Sequence, residues 1–166
     1  SKAGAFIVTA EDKTIYHAGD LNLWWWPNRD ESDNKKAKEN YEEEIEKMKE
    51  QGVFIAHCPE SNMTLASGIA PVRRYLDLNM NVGLGSDVGG GSKTSIFSAM
   101  KSAIECSKLR WRLTDSSLQP IRLPEAFYLA TVGGGSFFGN AGTFQKGFEF
   151  DAVVLDDSNL QTMREL

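Results

Sequence analysis

Residues 52–91 read GVFIAHCPESNMTLASGIAPVRRYLDLNMNVGLGSDVGGG and decide the fold. Two short apolar runs, at 53–56 and 81–86, flank a helical pattern over 69–78. Continuous apolar runs of this length are typical of strands that are covered on both faces. A strand, a helix and a second strand in this order therefore predict a parallel βα unit.

The rest of the chain continues this alternation of helices and strands. The segment 35–51 is dense in Lys, Glu and Ala, which favours a helix. Its apolar residues form one stripe along that helix, at Tyr41, Ile45 and Met48. The other predicted elements are a β-hairpin with strands at 5–9 and 14–17, two further helices at 94–109 and 123–135, and a final strand at 153–155. The glycines at 133–135 are expected to stop the last helix.

Composition and charge exclude several classes of function. A net charge of −5 argues against binding to nucleic acid, which requires clustered Lys and Arg. No apolar run approaches the roughly 18 residues of a membrane span, so no membrane association is expected. Two cysteines make no disulfide framework, which predicts a cytoplasmic location. The two histidines, His17 and His57, cannot complete a metal site that needs three or four imidazoles.

Polar residues directly follow both strands of the predicted βα unit. His57, Ser61 and Asn62 come after the first strand, and Asp87 comes after the second. Since the carboxyl ends of parallel strands line the catalytic mouth of such folds, these residues are expected to face one pocket. An aspartate in that place can bind a metal and move a proton. The equally weighted alternative is that Asp87 caps the next helix and His57 is a satisfied structural histidine.

The same stretch, 52–91, closely resembles guanine deaminases of the metal-dependent amidohydrolase superfamily. Residues 125–157, EAFYLATVGGGSFFGNAGTFQKGFEFDAVVLDD, resemble the end of that family, where the chain leaves the barrel and returns to a small β domain. The resemblance runs from about residue 43 to the C-terminus. It implies an α/β fold: a partial (β/α) barrel that carries the last barrel strands plus a short C-terminal β segment, preceded here by the N-terminal β-hairpin.

The resemblance also implies a chemistry. Zinc is the expected cofactor, and guanine or a related purine is the expected substrate, which is hydrolysed to xanthine and ammonia. Asp87 matches the metal-ligating aspartate that also shuttles protons. His57, Ser61 and Asn62 match the family's HCPxSN motif and are expected to line the substrate pocket. One small departure is Gly89, where the family is expected to have alanine.

Larger departures concern the metal site. The family's zinc is also held by an HxH pair on the first strand and by histidines on later strands, and a glutamate acts as general acid. This chain has no HxH sequence and lacks four histidines. A catalytic zinc usually needs about three protein ligands, and Asp87 is the one that the resemblance assigns. The chain alone is therefore expected to be inactive or very weakly active.

The N-terminal residues from about 4 to 40, with GAFIVTAEDKTIYHAGDLNLWWW at 4–26, resemble metallo-β-lactamase-fold hydrolases. In that family a Gly-Asp pair at a strand end presents an aspartate to the metal, which makes Asp20 a second candidate ligand. The family's HxHxDH motif is missing here too. The two resemblances divide the chain into three segments. Residues 1–42 are expected to form a metallo-β-lactamase-like hairpin and loop, residues 43–140 the C-terminal part of an amidohydrolase barrel, and residues 141–166 a returning β-domain segment.

A junction near 41–49 suggests the hypothesis that the chain is a chimera. A less favoured alternative is a genuine pair of half-sites, in which Asp20, His57 and Asp87 make one new metal site. Two other hypotheses stay open. In the first, the chain is a non-catalytic scaffold that forms homo-oligomers through unpaired strand edges. In the second, it is a remnant of a metallo-β-lactamase-fold hydrolase.

Overall fold

The fold is taken from a computed structural model that describes residues 6–10, 13–17, 30–156 and 158, the first two segments as backbone. In chain order the elements are β1 (Phe6–Ala10), β2 (Lys13–His17), α1 (Glu31–Glu50), β3 (Phe54–His57), α2 (Pro59–Thr64), α3 (Val72–Asp77), β4 (Asn81–Leu84), α4 (Ile96–Leu113) and α5 (Leu123–Tyr128). A π-helical turn (Leu129–Gly133) and a 3-10 turn (Ser136–Phe138) continue α5.

Two sheets of two strands each are present within the described residues. β1 and β2 pair antiparallel, as the predicted hairpin requires. β3 and β4 pair parallel, with Phe54 opposite Asn81 and His57 opposite Leu84. The predicted βα unit is therefore confirmed, and its crossover contains two short helices, α2 and α3, instead of one. The described residues thus form a small mixed α/β arrangement with two parallel strands.

The core lies around β3 and β4, between α1, α3, α4 and α5. The predicted stripe of α1 is buried, and Ile45 at its centre has no exposed surface. The Tyr41 and Tyr75 hydroxyls meet inside this core with an O···O distance of 3.3 Å. An i, i+4 ion pair forms on the exposed face of α1, with 2.8 Å between Lys47 Nζ and Glu43 Oε1.

Helix boundaries differ from the sequence prediction. α1 begins at Glu31 instead of residue 35, and acidic residues in its first turn, Glu31 and Asp33, suit the positive end of the helix dipole. Pro59 opens α2, a helix that was not predicted, because a proline fits the first helical turn. α3 is shorter than the predicted 69–78, and α4 is shifted toward the C-terminus and continues to Leu113. None of the helices in the described part of the chain has the length and apolarity that a membrane crossing needs.

The glycines at 133–135 do not stop the last helix, so that prediction was wrong. Helical turns run through them to Phe138. A Cβ added at Gly133 would lie 2.4 Å from the carbonyl oxygen of Val82, and one added at Gly83 would lie 2.8 Å from Cα of Gly134. The glycines therefore allow the helix backbone to rest directly on β4.

The predicted final strand at 153–155 was also wrong. Residues 151–156 form no regular structure, and Val153 and Val154 are 81% and 92% exposed. A strand is stable when it pairs with a neighbour. The described residues place no strand beside this segment. The short C-terminal β segment expected from the resemblance is thus not formed by the part of it that the structure describes.

The contact between Gly133 and β4 gives a prediction with a matched control. Gly133→Ala should lower the free energy of unfolding by about 1–3 kcal/mol, because its Cβ would overlap a backbone oxygen that cannot move aside. Gly134→Ala should be neutral or slightly stabilising, since its Cβ would meet Leu129 O at an ordinary 3.6 Å. Urea unfolding followed by circular dichroism measures both. Equal midpoints for the two variants would contradict the close approach.

Candidate active site

Two polar loops leave the same edge of the parallel sheet. His57 is the last residue of β3, and its carbonyl accepts a hydrogen bond of 3.0 Å from the Gly85 N–H just after β4. α2 follows β3 at once, and the loop 86–95 follows β4. The parallel register thus brings together the two segments that carry the predicted site residues, as expected for this class of fold.

Asp87 and Ser61 converge on Gly90. A Cβ at Gly90 would lie 2.7 Å from Asp87 Oδ2 and 2.8 Å from Ser61 Oγ. Asp87 has a φ of 48°, in the left-handed region, and its carbonyl accepts hydrogen bonds from the N–H groups of Gly90 and Gly91 at 3.0 and 2.6 Å. Asp87 does not cap α4, whose N-cap residue is Ser95. The alternative prediction, in which Asp87 caps the next helix, was therefore wrong.

His57 is buried, and its imidazole is neutral near pH 7. The side chain is 3% exposed, and burial lowers its pKa to about 4. Its Nε2 atom has no hydrogen-bond partner in the described part of the protein. A buried ring nitrogen without a partner is costly, so His57 is not a satisfied structural histidine. The Nε2 atom of His57 is an unsatisfied polar atom at the end of β3, the strand that leads into α2.

Cys58 is a neighbour of the site that the sequence analysis did not select. A Cβ at Gly85 would lie 2.7 Å from Cys58 Sγ, so the thiol packs against the start of the loop that follows β4. Burial, and then the negative charge of Asp87, raise the pKa of the thiol. Cys58 therefore stays protonated and adds no charge next to the carboxylate.

Asn62 lies on α2 directly after Ser61 and is half-buried. Its N–H donates to the Cys58 carbonyl at 3.1 Å, and its own carbonyl accepts from the Ser67 N–H at 2.9 Å. The structure thus places Asn62 in the same turn as Ser61. Asp20 lies outside the described residues, and His17 is placed as the last residue of β2.

Glu60 is a second residue that sequence reasoning missed. It is 8% exposed, and the hydroxyls of Ser92, Ser98 and Ser102 donate to its carboxylate. The hydrogen bond from Ser98 is the main cause that lowers the pKa of Glu60. The carboxylate borders a cleft of about 200 Å³ between α2 and α4. One available signal was the i, i+4 spacing of Ser98 and Ser102, which places both hydroxyls on one face of a helix.

The described residues do not fit a complete zinc site. They contain no group of three or more His, Cys, Asp and Glu side chains arranged to hold a metal ion. Asp87 supplies one carboxylate, whereas a catalytic zinc is usually held by about three protein ligands.

Comparisons with known proteins agree with this architecture. Residues 17–165 match the model of the amidohydrolase family, and the chain belongs to that family. Its resemblance to guanine deaminases is confirmed. It is 41% identical over 118 residues to guanine deaminase of Dictyostelium discoideum, which covers 69% of this chain and 26% of that protein.

Solved structures give the same result. The crystal structure of guanine deaminase from C. acetobutylicum with bound guanine in the active site is 48% identical, with a TM-score of 0.68 over 72% of this chain and 28% of that chain. An adenosine deaminase from Xanthomonas campestris with bound zinc is 29% identical, with a TM-score of 0.61 over 74% of this chain and 28% of that one. The chain thus spans about a quarter of the length of the relatives it matches.

The family match bears on the N-terminal segment. It begins at residue 17 and so includes residues 17–42, which the sequence analysis attributed to a metallo-β-lactamase-like segment. These comparisons lend no support to the metallo-β-lactamase resemblance or to a chimera.

Burial of His57 predicts a specific pH dependence. The unfolded chain binds a proton at His57 near pH 6.5, but the folded chain does so near pH 4. The contribution of His57 to the free energy of unfolding is therefore complete above pH 6.5 and falls by about 3 kcal/mol as the pH drops to 4. NMR titration of the His57 ring should show a midpoint near 4 in the folded chain and near 6.5 in urea, with His57→Gln to assign the signal. A folded-state midpoint near 6.5 would contradict the burial.

Proposed function

We propose that this chain carries the C-terminal part of the active site of a zinc-dependent guanine deaminase, which hydrolyses guanine to xanthine and ammonia. The observation that carries the proposal is the 48% identity to a guanine deaminase that holds guanine in its active site. The convergence of Asp87 and Ser61 on Gly90, at the edge of the sheet where β3 ends with the buried His57, supports it.

In this proposal Asp87 has two roles, as a metal ligand and as a proton shuttle. In the net reaction, water adds to the carbon that bears the exocyclic amine of guanine and the C–N bond to ammonia breaks. One proton must move from the water to the leaving nitrogen, and a carboxylate at hydrogen-bond distance can carry it. His57, Ser61 and Asn62 line the pocket for the purine. A neutral imidazole at His57 suits an uncharged heterocycle better than an imidazolium would.

We also expect the isolated chain to be inactive or very weakly active. Two histidines in 166 residues fall short of the imidazoles that the family's zinc site uses. The same proposal assigns residues 43–140 to the C-terminal part of the barrel and residues 141–166 to a returning β-domain segment. The metallo-β-lactamase-like reading of 1–42, with Asp20 as a ligand, is kept as a minor alternative, and the family match supports the amidohydrolase reading for 17–42.

Segment exchange tests the function. Residues 43–156 of this chain replace the matching segment of the C. acetobutylicum guanine deaminase, and formation of xanthine from guanine is measured. The hybrid should be active, and Asp87→Asn in it should lower kcat by about a hundredfold or more, because ligand and proton carrier are both lost. Asp77→Asn, which removes an exposed carboxylate paired with Arg73, serves as the matched control and should leave kcat unchanged.

The isolated chain with added zinc provides the baseline of the same assay and should show no turnover. Robust turnover by the isolated chain would contradict the shortage of ligands. A folded but inactive hybrid would contradict the proposed function itself.

Exposed apolar surface favours a second candidate function, a non-catalytic assembly partner. Within the described residues β3 and β4 each have one edge without a strand neighbour. Phe137 packs edge-to-face on Phe54 of β3, with ring centroids 5.2 Å apart, and Phe138 beside it is 73% exposed. Unpaired strand edges next to exposed aromatic rings favour pairing with another copy.

The oligomeric state distinguishes this candidate. Size-exclusion chromatography with light scattering should give a multiple of the 18.4 kDa chain mass. Phe138→Ser should shift the chain toward the monomer, because it removes apolar surface beside β3. Leu113→Ser, at the far end of α4 and similarly exposed, should not. A wild-type monomer at all concentrations measured would exclude assembly.

A further inference from the structure

We propose that Glu60 is a positioning residue that holds the Asp87 loop, residues 86–95, against α2 and α4. The importance of Glu60 for catalysis rests on the proposed role of Asp87, whereas its effect on the order of the loop does not depend on that role.

The two carboxylate oxygens of Glu60 bind two different parts of the molecule. Oε1 accepts hydrogen bonds from Ser98 and Ser102, both on α4, the second at 3.3 Å. Oε2 accepts from Ser92, in the loop that follows β4, at 3.2 Å. One side chain on the first turn of α2 therefore joins a helix to a loop whose own hydrogen bonds make only a turn at 87–91 and one isolated bridge between Val88 and Gly91.

The loop is in need of such support. Asp87 has a φ of 48°, a conformation that residues other than glycine adopt rarely and that persists when surrounding contacts impose it. Gly89, Gly90 and Gly91 follow it, and three successive glycines give the chain a large conformational freedom. Val88, between Asp87 and the glycines, is 74% exposed, and Ser92 is the first residue after the glycines with a side chain that can fix the loop.

The neighbouring residue on α2 makes a second contact with the same loop. Ser61 Oγ lies against Gly90 together with the Asp87 carboxylate. The first turn of α2 thus touches the loop at two points, through Ser61 within the glycines at position 90 and through Glu60 just after them at position 92. With both points fixed, the Asp87 carboxylate has a defined place at the edge of the sheet.

Backbone order parameters from NMR test the proposal on the intact chain. In the wild type the amides of Gly90 and Gly91 should have order parameters of about 0.85, the value of a rigid backbone, and in Glu60→Ala they should fall below about 0.6. The amides of Met80 and Gly85, which donate to Tyr75 and His57, report on the sheet and should keep their values. Ser92→Ala, which cuts the loop contact and leaves the contacts to α4, should reproduce the local loss.

Two further variants separate positioning from general stability. Glu60→Gln should restore the order of the loop, because its amide offers an acceptor oxygen and a donor that a serine hydroxyl can accept. Glu105→Ala alters another acidic side chain of the same cleft, which pairs with Lys101, and should leave the loop unchanged.

Unchanged order at Gly90 and Gly91 in Ser92→Ala would overturn the proposal, and this variant decides if Glu60→Ala does not fold. An equal loss at Met80 and Gly85 would also overturn it, since that result means general loosening. The measurement needs no substrate or metal, so it stands apart from the outcome of the segment exchange.

Discussion

The parallel pairing of β3 with β4 is the interaction on which the rest of the structure depends. His57 lies opposite Leu84, and the Gly85 N–H extends the hydrogen bonding to the His57 carbonyl. Because parallel strands leave the sheet at one edge, this register brings α2 and the Asp87 loop side by side. A shift of one residue would turn every side chain of one strand to the opposite face and separate the two halves of the site.

The electrostatic character of the site follows from that arrangement. Burial keeps His57 neutral, and burial with a nearby negative charge keeps the Cys58 thiol protonated. Glu60 lies only two residues away from Cys58, and three hydroxyls, two from α4 and one from the loop after β4, donate to its carboxylate. The Asp87 carboxylate thus has the uncharged Cys58 thiol and Ser61 hydroxyl as neighbours, while the Glu60 carboxylate is bound by serines.

Sequence reasoning found the elements whose signals are local. The runs at 53–56 and 81–86 contain β3 and β4, although β3 is only partly buried and Ala56 is exposed, and the stripe of Tyr41, Ile45 and Met48 repeats with the period of a helix. It misread the glycines at 133–135, since the need for a glycine there comes from Val82, a strand residue distant in the chain. The run at 153–155 has strand composition, but pairing depends on a neighbour that composition cannot reveal.

The candidate site divides in the same way. His57, Ser61, Asn62 and Asp87 were predicted because they follow apolar runs and match motifs, and their roles stay predictions. Glu60 was missed because it occupies the variable position of that motif, and its partners come from three separate points of the chain between 92 and 102. The relation of a carboxylate to three distant hydroxyls exists only after folding.

The bare Cα of Gly90 has a consequence for how this fold can vary. The gap between the Asp87 carboxylate and the Ser61 hydroxyl is narrower than one methyl group requires. A larger amino acid at this position would have to move the Asp87 carboxylate or rotate the Ser61 hydroxyl away from the loop. Any change at position 90 therefore also changes where the acidic group lies at the mouth of the sheet.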